Sequence, residues 1–270
     1  MKLIFCDLDD TLLVLGTIPE ANIAAVRKAR EAGHKFIICT GRPAFMTDAV
    51  QDALGLRDAE GEYSVCLNGG FIMENRGCRA LKSGGLSRET ISDILKVAEH
   101  ENICAMVAGE RNMHLFNPLP SEIQRKRQQH IEPVLHSGYD LDEIKDEAVF
   151  KILLISDNGD APLKALYAGL PEELRESCTV TFSSNRFMEF IPKGTNKGSA
   201  VHFLADYLGV DIRDTIAIGD SCNDVEMLLE AGTGICVKGA DKEARDVADI
   251  QCEKTCLEGA VAEGIEKYVL

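Results

Sequence analysis

Two short apolar runs, Leu3–Cys6 and Lys35–Cys39, flank a stretch in which Ile23, Val26 and Ala29 recur at helical spacing between Pro19 and a stop at Gly33. Runs of four or five apolar residues bounded by turn residues suit strands buried on both faces. A strand–helix–strand succession of this length calls for parallel strands joined by a right-handed crossover. A third apolar run, 64–67, follows, and the alternation resumes near the other end of the chain. There the pattern predicts helices over Lys197–Leu208 and 224–231, closed by Gly209 and Gly232, and strands over 215–218 and 233–237. The middle of the chain is different. A helix over 87–100, with Ser87 as N-cap and Glu89 and Thr90 in its first turn, is followed by mixed segments. These include a polar run over 121–130, a strand candidate over 148–155, a helix near 161–170, and strands over Cys178–Ser183 and 187–191. The reading is an α/β chain: a doubly wound, Rossmann-like parallel-sheet core made of residues 1–82 and 193–270, with an inserted α+β cap domain over 83–192.

The chain has 270 residues, enough for a large core, and a formal charge of −15. That charge argues against electrostatic binding to nucleic acid or to an anionic membrane surface. No apolar stretch approaches the length of a membrane span, and the N-terminal residues run straight into a strand without a signal peptide's apolar region. A cytoplasmic location is therefore expected. The cysteines are expected to be reduced thiols: Cys6, Cys39, Cys66 and Cys236 fall in strand-like runs. Cys252 and Cys256 form a lone pair with no second pair and no nearby histidine for a zinc site. The six histidines show no metal-ligand spacing, and the basic cluster 124–130 reads as a solvated helix face.

Four chemical elements each sit at, or just after, a predicted parallel strand: Asp7-x-Asp9-x-Thr11, Cys39-Thr40-Gly41-Arg42, Lys197 at a helix start, and Gly219-Asp220-Ser221-Cys222-Asn223-Asp224. Ligands of open α/β sheets bind beyond the carboxyl ends of the strands, so these residues are expected to converge. Their types fit phosphoryl transfer. A carboxylate nucleophile can accept a phosphoryl group and split one hard displacement into two easier ones. A dianionic substrate would be repelled by that carboxylate unless Mg²⁺, which needs only one or two carboxylates, were held there by Asp7 and Asp220. Thr40 and the amides of the Thr40-Gly41 turn can donate to phosphate oxygens, and Lys197 can place a charge on the transferring group. Asp9 can protonate the leaving oxygen and then deprotonate the attacking water.

These motifs resemble those of haloacid-dehalogenase-superfamily phosphatases, within them the Cof-type branch. Asp7-Leu8-Asp9-Asp10-Thr11-Leu12-Leu13 is similar to the first motif of that family, Thr40-Gly41-Arg42 to the second, Lys197 to the third and Gly219 to Asp224 to the fourth. Asn68-Gly69-Gly70 resembles the Asn-Gly-Ala turn of the branch. The resemblance implies Asp7 as nucleophile and Asp9 as general acid and base. It implies Mg²⁺ held by Asp7, the Asp9 carbonyl and Asp220, with Asp224 supporting the metal from behind. Around the phosphate it implies Thr40, Lys197 and Asn223, and Leu8, Gly41 and Arg42 complete the candidate phosphate-binding set. Two positions depart from the pattern. Asp10 stands where the family has Gly, which requires a backbone conformation that Asp tolerates. Val237-Lys238-Gly239-Ala240 stands where the branch has Met-Gly-Asn-Ala.

The expected activity is Mg²⁺-dependent hydrolysis of a small phosphorylated metabolite, such as a sugar phosphate, through an aspartyl phosphate, with the inserted domain reading the leaving group. Asn185, Arg186 and Glu189 are candidates for substrate contact there. A phosphomutase on the same fold and a receiver-like phospho-acceptor module are the alternatives. The second lacks an acid two residues past the phosphorylated Asp and a large insertion. The sequence says nothing of oligomeric state.

Overall fold

All four residues of β1 (Leu3–Cys6) are buried, as its unbroken apolar sequence requires of a strand flanked on both edges and covered on both faces. The computed structural model describes residues 1–109, 112–129 and 131–270. It divides into two units, Met1–Ser83 with Asn196–Leu270 and Gly84–Thr195. In the first unit β1 is followed by α1 (Glu20–Glu31), β2 (Lys35–Cys39), α2 (Asp48–Leu54), β3 (Tyr63–Cys66), β4 (Phe71–Glu74) and β5 (Arg79–Ser83). The second unit holds α3 (Arg88–His100), β6 (Cys104–Gly109), β7 (Met113–Phe116), α4 (Pro120–Gln128), β8 (Val134–His136), β9 (Val149–Ile155), α5 (Ala161–Ala168), α6 (Glu172–Ser177), β10 (Cys178–Ser183) and β11 (Phe187–Pro192). The chain then returns to the first unit with α7 (Lys197–Leu208), β12 (Thr215–Gly219), α8 (Val225–Glu230), β13 (Thr233–Cys236), α9 (Lys242–Val247), β14 (Ile250–Gln251) and α10 (Ala260–Tyr268).

The sheet of the first unit runs β14-β13-β12-β1-β2-β3-β4-β5. It is parallel from β14 to β3, and antiparallel where β4 and β5 extend it. Strand order advances one way from β1 and the other way from β12, which makes the β1–β12 boundary the switch point where such sheets open a crevice. The register decides what lines it. Cys6 lies opposite both Ile218 and Ile38, so Asp7, the Cys39–Thr40 step and the Gly219–Asp220 step leave one sheet edge at one level. The helices form two groups, α1 with α2 and α10, and α7 with α8 and α9. α1 turns Asn22, Ala25, Val26 and Ala29 inward; Val26 and Ala29 match the spacing read from the sequence, whereas Ile23 is only partly buried and Asn22 takes the inner position. Gly209 ends α7 in the left-handed region at φ 64°. Gly232 serves otherwise than expected: α8 ends at Ala231 in extended backbone, and Gly232 is needed for space, since a Cβ there would lie 2.5 Å from the Ile212 carbonyl oxygen.

The second unit is a six-stranded sheet, β10-β11-β9-β6-β7-β8, antiparallel except for the β7–β8 pair. Its core gathers Ile91, Ile94 and Leu95 of α3 with Val107, Ile152, Leu154, Met188 and Phe190 of the sheet. Ser87 caps α3 by accepting from the Thr90 amide at 3.0 Å. The polar run forms α4 through Gln128; His130 lies outside the described residues. Among the described residues no helix is long and apolar enough to cross a membrane.

Candidate active site

Asp7 leaves β1 with its amide donating to the Ile218 carbonyl at 3.0 Å, so the sheet ladder itself fixes where its carboxylate stands. Lys197 opens α7, whose N-cap Asn196 accepts from the Ser199 amide at 2.7 Å. The Lys197 side chain is fully buried, and its ammonium donates to Asp7 Oδ1 at 2.5 Å and to Asp224 Oδ1 at 2.6 Å. Burial opposes the charge on Lys197, but the two carboxylates outweigh it and raise its pKa. Burial pushes the Asp7 carboxyl up, against the pull of the same ammonium. Asp220 is also pushed up, to about 6, by burial and by Asp224 beside it, while a hydrogen bond from Thr11 works the other way. That bond, Thr11 Oγ1 to Asp220 Oδ1 at 2.6 Å, ties the first motif to the fourth across 209 positions.

One carboxylate oxygen from each of Asp7, Asp220 and Asp224 lies within 4.8 Å of the others. The donors suit a hard cation such as Mg²⁺, which takes oxygen ligands and needs only one or two carboxylates. Asp224 is nevertheless spoken for. Its Oδ1 receives Lys197 and its Oδ2 receives the amides of Asp220 and Ser221 at 3.0 and 3.1 Å. Asp7 and Asp220 each keep one oxygen outside these bonds, so they fit the metal directly and Asp224 fits behind them. Asp9 is different again: its carboxylate is exposed and held in a two-point ion pair by Arg42 Nε, at 2.9 Å, and Nη2.

The structure therefore draws Asp7, Lys197 and Asp224, all buried, together with the half-buried Asp220, and pairs the exposed Asp9 with Arg42. Thr40, 1% exposed, steps off β2, with its Oγ1 accepting from the Arg42 amide at 3.2 Å. The Leu8 side chain is buried in the core, leaving only its main chain for any contact with a ligand. Asn223 is exposed, with its Oδ1 accepting from Ser221 Oγ at 2.7 Å and its Nδ2 donating to Asn68 Oδ1 at 3.4 Å. Gly41 lies against the same Asn68 amide. Asp10 has φ 62°, the left-handed conformation that Gly takes freely and Asp tolerates. The Val237–Ala240 segment is tied to the site through its neighbour, the Asp241 amide donating to the Asp220 carbonyl at 2.7 Å.

The candidates in the second unit are bound up within it. Arg186 pairs with Asp157 at 2.8 Å and with Glu122 at 3.2 Å, Glu189 with Lys151 and Ser183, and Asn185 Oδ1 accepts from the Asp160 amide at 3.4 Å. Two partners there escaped the sequence reading: His114 and His136, buried and 2.9 Å apart, with Glu147 2.8 Å from His114. Only the pairing of β7 with β8 brings the two rings together, and nothing in the spacing announces it. Thr11, by contrast, was signalled by its place in the Asp-x-Asp-x-Thr run.

Over residues 4–265 the chain matches the family described as haloacid dehalogenase-like hydrolase. It is 29% identical over 275 residues to the 5-amino-6-(5-phospho-D-ribitylamino)uracil phosphatase YwtE of Bacillus subtilis (strain 168), covering 91% of each chain. It is 28% identical over 246 residues to the HMP-PP phosphatase of Escherichia coli (strain K12), covering 88% of this chain and 85% of that one. A solved haloacid dehalogenase-like hydrolase from Bacteroides thetaiotaomicron has the same fold, with a TM-score of 0.87 at 24% identity over 98% of both chains.

Proposed function

Because this chain belongs to the haloacid dehalogenase-like hydrolase family, we propose that it is a Mg²⁺-dependent phosphatase of small phosphorylated metabolites that works through an aspartyl phosphate on Asp7. The observation that carries the reading is the buried Asp7–Lys197–Asp224 array with Asp220 beside it at the sheet's switch point. An unpaired Asp7 at the end of a core strand would be costly; paired with a buried ammonium it is held in place for attack.

In the first step an Asp7 carboxylate oxygen forms the bond to phosphorus as the ester oxygen departs, taking a proton from Asp9. Lys197 stays charged and spreads its field over Asp7 and the transferring oxygens. In the second step Asp9 takes a proton from water as that water attacks phosphorus, and the Asp7–phosphorus bond breaks to release phosphate. Since Asp9 must be protonated to start the cycle, Arg42 has to yield the carboxylate it holds. Asp7 and Asp220 would hold the metal, whose charge allows a dianionic ester near a carboxylate. Thr40 and Asn223 offer neutral donors to the phosphate.

The relatives act, by their names, on different phosphorylated compounds, and at 28–29% identity neither compound is carried over. We assign the discrimination among leaving groups to residues 84–195. The test is an aryl phosphate assay: Asp7→Asn should cut phosphate release at least about a thousandfold while circular dichroism shows the protein still folded. Retained turnover in Asp7→Asn would remove the nucleophile. Product analysis with a phosphosugar separates release from return of the phosphoryl group to a second hydroxyl.

A further inference from the structure

Leu67, Asn68 and Gly69 hold positive φ in succession, at 53°, 55° and 95°. Asn visits this region readily, but for Leu it is a genuine departure that surrounding contacts must impose. Those contacts come from three separate loops of the site. The Leu67 and Asn68 amides donate to the carbonyls of Arg42 and Thr40, at 3.0 and 2.9 Å. A Cβ on Gly69 would stand 2.4 Å from the carbonyl oxygen of Asn196, so the turn lies directly on the residue that caps the Lys197 helix. The Asn68 side chain fills the space beside Gly41, where a Cβ would meet its Oδ1 at 3.1 Å. The same Oδ1 accepts from Asn223 Nδ2 at 3.4 Å, while Ser221 Oγ donates to Asn223 Oδ1 at 2.7 Å. The Asn223 amide is thus gripped at both ends, its oxygen by Ser221 and its nitrogen by Asn68.

We propose that Asn68 is a positioning residue for the phosphate group: by occupying one hydrogen of Asn223 Nδ2 it aims the other at the bound oxyanion. The strained turn keeps Asn68 in register with Thr40 and Lys197. This rests on the phosphatase reading above and adds a residue to it. Asn68 acts through Asn223, so its contribution exists only while the Asn223 amide does. Ser221 alone would leave that amide free to swing about its oxygen.

The experiment measures inhibition by inorganic phosphate, together with KM and kcat for an aryl phosphate, on a set of variants. Asn68→Gly keeps the left-handed backbone and removes the amide. Asn68→Asp keeps both the backbone and an acceptor for Asn223 Nδ2. Asn223→Ala is combined with each. Asn68→Gly should raise the phosphate inhibition constant and KM about fivefold, the worth of one neutral hydrogen bond, with kcat within about twofold and melting unchanged. Asn223→Ala should weaken phosphate binding in the wild-type and Asn68→Asp backgrounds, and have little effect in the Asn68→Gly background. Equal cost in all three backgrounds overturns the coupling, as does an Asn68→Gly phosphate constant equal to wild type. If Asn68→Gly melts early, Asn68→Ser, too short to reach Asn223, takes its place with the same expectations. A wild-type chain that hydrolyses the aryl phosphate while the coupling fails loses only the role of Asn68. A wild-type chain that neither binds phosphate nor hydrolyses the ester overturns both readings.

Discussion

Lys197 is the cation at the heart of the cluster: a fully buried ammonium within 2.6 Å of two carboxylates. Lys197→Met would leave both acids buried without their cation, and removing one partner of a buried pair is far costlier than never having had it. We expect Lys197→Met to lose about 3 kcal/mol of unfolding free energy in urea melts, and Lys197→Met/Asp224→Asn to recover part of it. An unchanged single variant would mean that the array is not under this tension. A lysine after a Gly-containing turn at a helix start was legible in the sequence as a site residue. That Asp224 spends both its oxygens inside the protein was not. Nor was the grip of Arg42 on Asp9, because that contact depends on side-chain rotamers across 33 positions. The left-handed Asp10 was foreshadowed, since only a few residue types can replace Gly in that conformation.

Among the elements, α10 shows how a helix is tied down by charge. Glu263 Oε1 accepts from the Glu253 amide at 3.2 Å and Lys267 Nζ at 2.8 Å, and Oε2 accepts from the Lys254 amide at 2.9 Å. Burial works against the Glu263 charge, but Lys267 and the two amides outweigh it and hold its carboxyl below its ordinary value of 4.5. A depressed acid contributes stability above its unfolded-state value, and that contribution is lost as pH falls through the lower folded-state value. Glu263→Gln should therefore cost about 1–2 kcal/mol at pH 7, measured by urea titration, with the difference from wild type shrinking below about pH 4. A difference independent of pH would assign the loss to packing instead. The core strands β1, β2, β3, β12 and β13 were legible to within a residue because continuous apolar runs of that length admit little else, whereas β6 and β7, buried inside the second sheet, went unread. The edge pieces were not: β4 and β5 extend the sheet antiparallel, and β8 has only three residues, two of them exposed. α4 turns Glu122 and Lys126 inward, inverting the pattern from which a helix face is read.

For the whole molecule, a cation held only by the folded arrangement of Asp7 and Asp220 must stabilise that arrangement by mass action. At a hundred times its dissociation constant, Mg²⁺ should add about 2.7 kcal/mol, seen as a melting temperature that rises with Mg²⁺ and falls back in excess chelator. Asp220→Asn should flatten that rise, and an equal rise in Asp220→Asn would move the cation elsewhere. The alternation of short strands and helices at both ends foretold the sheet, and with it the convergence of four motifs. The register that sets them level with one another came only with the strand pairing. That pairing also has a consequence during synthesis. β1 is hemmed on one side by β2, a near neighbour in sequence, and on the other by β12, with Leu3 waiting for Thr215. Residues 84–195, an uninterrupted length of chain, can close their own sheet on the ribosome long before that. The strand carrying Asp7 cannot, so a nascent chain ended before residue 197 holds Asp7 with neither Lys197 nor Asp220 beside it, and under the reading proposed above the array forms only once β12 is in place.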